Sequence, residues 1–255
     1  MAAAASSLSS TTKSSSLSQR PDGRTHSTLR PLSSSLAVIK RADGSAKFTA
    51  GRTSVVAAVY GPIASRIEAR MHMSRASVTC VFPRNKQTSG LNDSRSSREM
   101  EEFVANSVST CISLEEYPRT IIEIVIEILT ADGGVLSTAV NAAVLALMDA
   151  GIHLTSLPIA TTCLITYIPD AKSELIKLDP TNEEEQLEDA SIIVLVTDSV
   201  QKDGVIASTV HGCLKTQTYL ACIEAASRAS AAVIGFIRIA IEQKLNREHA
   251  TLWAK

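Results

Sequence analysis

The sequence predicts an α+β fold made of two units that each run strands first and helix last. Three observations carry this. In RTIIEIVIEIL (119–129), Ile122, Ile124, Ile126 and Ile128 fall on one face and Glu123 and Glu127 on the other, the two-residue period of a strand. That strand meets a Gly-Gly turn and then an alanine-rich helix. After Gly151 the β pattern returns, and it ends in a second, longer helix.

The elements follow in order. The first twenty residues hold eight serines, two bases and no acid, a composition too polar to order itself and read as a disordered tail. Its lack of acids also matches a mitochondrial leader, which leaves import as the alternative. The folded domain is expected over 21–255. LAVIKR (36–41), AKFTA (46–50) and TSVVAAVYG (53–61) read as a meander with turns at Asp43-Gly44 and Gly51-Arg52. ASVTCVF (76–82) is a further strand. A polar loop, PRNKQTSGLNDSRSS, then leads to a helix over about 98–113, where Met100, Phe103, Val104 and Val108 share one face.

After TADGG (130–134), Val140, Ala143, Val144 and Leu147 mark the central helix, and Gly151 suits its stop. IATTCLITYI, ELIKLD, SIIVLVTDS and VIASTVHG read as four more strands. A helix from about 216 to 246 closes the chain, with Leu220, Ile223, Ala226, Val233 and Ile237 at steps of three and four.

Composition narrows the function classes. Of 255 residues, 45% are hydrophobic and 20% charged, which suits a real core, and aromatics at 4% mean that aliphatic side chains and alanine fill it. Charges interrupt the apolar stretches before the roughly 20 residues of a membrane span, so no membrane partner is expected. The five cysteines show no CxxC or metal-like spacing and read as small core residues. No metal site follows from them. Residues 1–100 carry 15 Lys+Arg against 5 Asp+Glu, and the remainder 10 against 21. A net of +10 beside −11 fits either a face turned to a polyanion or acidic partner, or two halves that neutralise each other.

A glycine turn opening a helix is a ready anion site. The motifs around it resemble the RNase PH family. RPDGR (20–24), the ADGS turn, GRTSVVAAVYGP, SSREMEEF (96–103), ADGG (131–134) and LDPTNEEE (178–185) follow that family's order across nearly the whole chain after the tail. The resemblance implies the RNase PH-like fold, also described as ribosomal protein S5 domain 2-like. It implies RNA trimming from the 3′ end with phosphate as the attacking group, and no cofactor. Arg98 falls at the family's helix arginine, with a solvent-facing arginine at a helix start as the bland reading. Asp179 and Glu185 fall at its acidic positions, beside a reading of the whole segment as a solvated acidic loop.

The match breaks where the chemistry would be. The active pattern after the glycines is Thr-Arg-Thr-Ala, and here it is Val135-Leu136-Ser137-Thr138. A charge-assisted hydrogen bond is worth roughly 1.5–3 kcal/mol, so the loss removes about 3–5 kcal/mol from phosphate binding. Val135 and Leu136 are expected to close the site into a packed corner, leaving no catalytic residue. Within the family, the closing motifs are most similar to eukaryotic exosome ring subunits. That implies a structural role among other RNase PH-like ring subunits, cap proteins and associated nucleases, in nucleus, nucleolus and cytoplasm. Arg84, Lys86, Arg95 and Arg98 would then approach the RNA path. An active phosphate-dependent exoribonuclease or homodimeric nuclease is the alternative.

Overall fold

In the computed structural model the described residues are 20, 22–64, 72–83, 94–168, 173–187, 190–201 and 204–253. Among these described residues, nine strands form two sheets. The first is five-stranded in the order β1 (Leu32–Leu36), β2 (Gly44–Ala50), β3 (Thr53–Ala64), β5 (Thr120–Thr130), β4 (Ser77–Val81). The second orders β7 (Ser173–Leu178), β6 (Pro158–Ile168), β8 (Ala190–Asp198), β9 (Val205–His211). All pairings are antiparallel except β4 with β5, which run parallel because helix α1 (Ser94–Ser109) carries the chain between them.

Helix α2 (Val135–Asp149) lies between the sheets and is apolar nearly all round, so every residue from Ser137 to Leu147 is buried. It packs on β2 and β3 on one side and on β6 on the other. One of its buried polar residues, Asn141, accepts the N–H of Ala160 and donates to the same residue's carbonyl, each at 3.0 Å, which fixes the helix against β6. The isoleucine pattern of β5 supplies the facing wall: Ile122, Ile124 and Ile126 are buried while Glu123 and Glu127 are exposed.

Helix α4 (Thr216–Trp253) buries a stripe of Cys222, Ala226, Ala229, Val233 and Ile237 against the second sheet and β1. Over Thr216–Ala250 it is long and apolar enough, by length and composition, to cross a membrane, with a window of mean hydropathy 1.5. The sequence expectation of no such stretch is therefore corrected. Only a few charged residues interrupt this helix, and they leave an apolar window between them.

Several boundaries move. The first strand is Leu32–Leu36, not 36–41, and it ends where Ala37 turns to φ 56°. Serines at 33 and 35 mask its alternation from a hydrophobicity reading. Helix α1 starts at Ser94, which puts Arg98 in its second turn rather than at its start. A one-turn helix, α3 (Asn182–Glu185), sits inside the stretch read as an acidic loop, with Thr181 and Glu184 forming a capping box. Cys80, Cys111, Cys163 and Cys222 are buried as expected of core residues, and Cys213 is exposed. Burial pushes the Cys80 thiol up to about 12.

Candidate functional site

The Gly-Gly turn is held from beneath. Gly133 and Gly134 have φ of 77° and 59°, and Gly134 is the N-cap of α2. A Cβ on Gly133 would meet the Pro180 carbonyl oxygen at 2.5 Å, so only glycine lets this turn lie on the segment after β7. Thr53 donates to the Gly133 carbonyl at 2.7 Å and Ser137 and Thr138 cap the Gly134 carbonyl at 2.9 and 2.8 Å.

Asp179, expected at an acidic catalytic position, is built into this support. Its Oδ1 accepts Arg30 Nη2 at 2.6 Å and its Oδ2 accepts the Arg30 backbone N–H at 2.9 Å. The same guanidinium donates to the Gly133 carbonyl at 3.1 Å and to Thr53 Oγ1 at 3.2 Å. Asp179 and Arg30 are both buried. Next to them Arg20, from the RPDGR element, clamps Glu184 through two bonds of 3.0 and 2.9 Å, and donates to the carbonyls of Leu178 and Asp179 at 2.8 and 2.9 Å. Although burial alone would raise it, the Arg20 guanidinium and the Thr181 N–H hold the Glu184 carboxyl below its ordinary value. The reading of this segment as a solvated acidic loop is corrected. Two of its carboxylates are buried and each is paired with an arginine.

Glu185 faces the other way. Its Oε1 accepts the Gly134 N–H at 2.8 Å, and it lines an open cleft of about 300 Å³. The cleft runs between α1, the start of α2 and strands β8 and β9. Its walls are Met100, Phe103, Val135, Leu136, Ile192 and Val194, with Glu99, Glu185 and His211 as titratable groups. Burial raises the Glu185 carboxyl, opposed by the Gly134 N–H and Arg30 and reinforced by Asp179 and Asp132. The packed corner expected at Val135 and Leu136 is thus corrected: both are half-buried and line an open space.

Arg98 is exposed on α1 and is not among the cleft's lining residues, although its neighbour Glu99 is. Arg84 and Lys86 lie outside the described residues. Arg95 falls within α1, but its side chain is outside the described set. Among the described residues no group of three or more His, Cys, Asp or Glu could hold a metal ion. Sequence reasoning missed Arg30, whose only signal is an arginine placed just before a strand. It noted Arg20 as part of a motif without seeing that it is buried.

Comparisons with known proteins agree with this architecture. Residues 28–153 match the model of the 3′ exoribonuclease family, domain 1 (RNase PH), and residues 156–229 match domain 2 of the same family. The chain is 30% identical over 244 residues to an Arabidopsis thaliana protein named exosome complex exonuclease RRP46 homolog, covering 89% of this chain and 98% of that one. The crystal structure of rice (Oryza sativa) Rrp46 superposes with a TM-score of 0.72 at 30% identity, covering 86% of this chain and 98% of that chain. An archaeal exosome core chain shares the fold, with a TM-score of 0.73 at 22% identity over 89% of this chain and 94% of its own.

Proposed function

We propose that this chain, which belongs to the RNase PH family of 3′ exoribonucleases, is a non-catalytic structural subunit of a eukaryotic RNA exosome ring. The observation that carries the reading is the state of the Gly-Gly turn. The family's threonine and arginine are replaced by Val135 and Leu136, and the Gly134 amide is satisfied by Glu185. Asp179 is bonded at both oxygens to Arg30. A site for phosphate beside an RNA end needs converging cations, and among the described residues no lysine or arginine lines this cleft.

In this reading the chain supports RNA processing and turnover by holding ring neighbours, cap proteins and a separate nuclease in one assembly. It acts in nucleus, nucleolus and cytoplasm, with the mitochondrion as the alternative location. Arg84, Lys86, Arg95 and Arg98 contribute to the RNA path. The relatives' printed names favour this assembly, and the word exonuclease in one of them supports the second reading, an active phosphate-dependent exoribonuclease.

Three measurements test it. Affinity purification of the full chain with mass spectrometry is expected to recover other RNase PH-like proteins and cap proteins, and recovery of none of them would sink the ring assignment. Purified chain incubated with labelled RNA and phosphate is expected to release no nucleoside diphosphate. Release that disappears on Arg98→Ala would replace the structural reading with the enzymatic one. In the assembled ring, reversing charge at Arg84, Lys86, Arg95 and Arg98 together is expected to lower RNA crosslinking, and unchanged crosslinking would remove them from the path.

A further inference from the structure

The cleft beside the Gly-Gly turn has the opposite charge to a phosphate site. Arg30, the cation nearest the turn, lies beneath it and gives its donors to Asp179, Thr53 and the Gly133 carbonyl. Among the described residues no lysine or arginine lines the cleft, while Glu99 and Glu185 do. Glu185 commits one oxygen to the Gly134 N–H, and its second oxygen has no bond to another described residue. An acid half-buried among apolar walls is costly to ionise, and burial raises the Glu185 carboxyl even with Arg30 beneath the turn.

The walls set the shape of what would relieve it. Met100, Phe103, Leu136 and Ile192 offer apolar contact, and Phe103 is the aromatic residue among them. A guanidinium meets all of these demands. It is planar, more weakly hydrated than an ammonium, stacks on an aromatic ring and bonds a carboxylate with a fork of donors. An ammonium gives up more hydration on entering the same walls. A phosphate is repelled, and a neutral base leaves the acid without a countercharge.

We propose that the cleft lined by Phe103, Leu136 and Glu185 is a receptor for a guanidinium, an arginine side chain presented by a partner protein. The inference goes beyond ring membership and holds for the free chain as well as for an assembly.

The test uses the full chain with methyl-labelled isoleucine, leucine and valine, observed by NMR during titration with N-acetyl-arginine amide. Parallel titrations use N-acetyl-lysine amide, inorganic phosphate and guanosine. The arginine compound is expected to shift the methyls of Leu136, Ile192 and Val194, and to bind more tightly than the lysine compound. Glu185→Gln, which keeps an oxygen for the Gly134 N–H, is expected to weaken that binding by about tenfold or more. Phe103→Leu is expected to weaken it less.

Binding is also expected to fade as pH falls through the Glu185 titration, and this dependence should vanish in Glu185→Gln. Asp132, Asp179, Arg30, Glu99 and His211 also face this acid or the cleft, so the pH series is run in a His211→Gln background as well. Guanosine or phosphate shifting these methyls in place of the arginine compound would overturn the proposal. So would equal binding by wild type and Glu185→Gln, or no shift with any probe.

Discussion

The carboxylate of Glu185 accepts the backbone N–H of Gly134 at 2.8 Å. One of the amides that a helix N-terminus would offer to a phosphate is therefore taken by an acid of the same chain. Two features separate this turn from an anion cradle: the Val135-Leu136 pair, and a carboxylate, at a position where the family also carries an acid, lying on the turn itself.

The first prediction follows from that separation. Val135→Thr with Leu136→Arg restores the missing hydroxyl and cation but leaves Glu185 on the amide. Phosphate binding by this double variant is expected to remain weak. Adding Glu185→Ala frees the N–H and removes a negative charge, and should tighten binding by about tenfold or more. Isothermal titration with inorganic phosphate measures both, and equal affinities would mean that Glu185 leaves the amide at no cost.

The Arg30–Asp179 pair gives the second. Both side chains are buried, so removing one strands the other's charge, which costs about 3–5 kcal/mol. Arg30→Met is expected to lose stability of that order in urea unfolding. Asp179→Asn keeps an acceptor for the Arg30 backbone N–H, and Arg30 retains Thr53 and two backbone carbonyls, so its loss should be smaller. A loss for Asp179→Asn as large as that for Arg30→Met would show that the charge of Asp179, not its acceptor geometry, secures the turn.

Periodicity made much of the fold legible. The isoleucine strand, the buried central helix and the stripe on the last helix each carry more apolar residues in phase than a neighbouring polar residue can hide. Strand β1 was not legible, because Ser33, Ser34 and Ser35 dilute its pattern and its pairing to β2 is a tertiary fact. The substitution at Val135 and Leu136 was readable by resemblance, yet its consequence was not. Whether an aliphatic pair fills a corner or lines a gap depends on the spacing of α1 from β8 and β9. The arginine partners of Asp179 and Glu184 come from 149 and 164 residues away, and no local spacing announces such pairs.

The third prediction concerns acid. The Glu184 carboxyl is held below its ordinary value of 4.5 in the folded chain, so its contribution to stability is present above 4.5 and is lost as pH falls through the lower folded value. Arg20→Gln removes the clamp. The stability gap between wild type and Arg20→Gln is expected to be widest near neutral pH and to narrow below about pH 4.5. A gap that stays constant across that window would mean that Arg20 acts through its bonds to the Leu178 and Asp179 carbonyls alone.

The fourth prediction has the reverse sign and concerns Glu185. Its carboxyl is raised above 4.5, chiefly by burial, so ionisation is harder in the folded chain than in the unfolded one. Below 4.5 the group is protonated in both states and costs nothing. As pH rises through the folded value, the unfolded chain has already released its proton and the folded state loses ground. Glu185→Gln removes this penalty while keeping an oxygen for the Gly134 N–H, so the variant should melt at a higher temperature than wild type at neutral pH. The two should converge toward pH 4.5 and below. A variant less stable than wild type at every pH would mean that the charge on Glu185 strengthens its bond to Gly134 by more than its burial costs. A carboxylate kept at a stability cost in an open apolar cleft has a physical rationale once a cation enters. Adding N-acetyl-arginine amide should therefore close the gap from the wild-type side, raising the melting temperature of wild type and leaving Glu185→Gln unchanged.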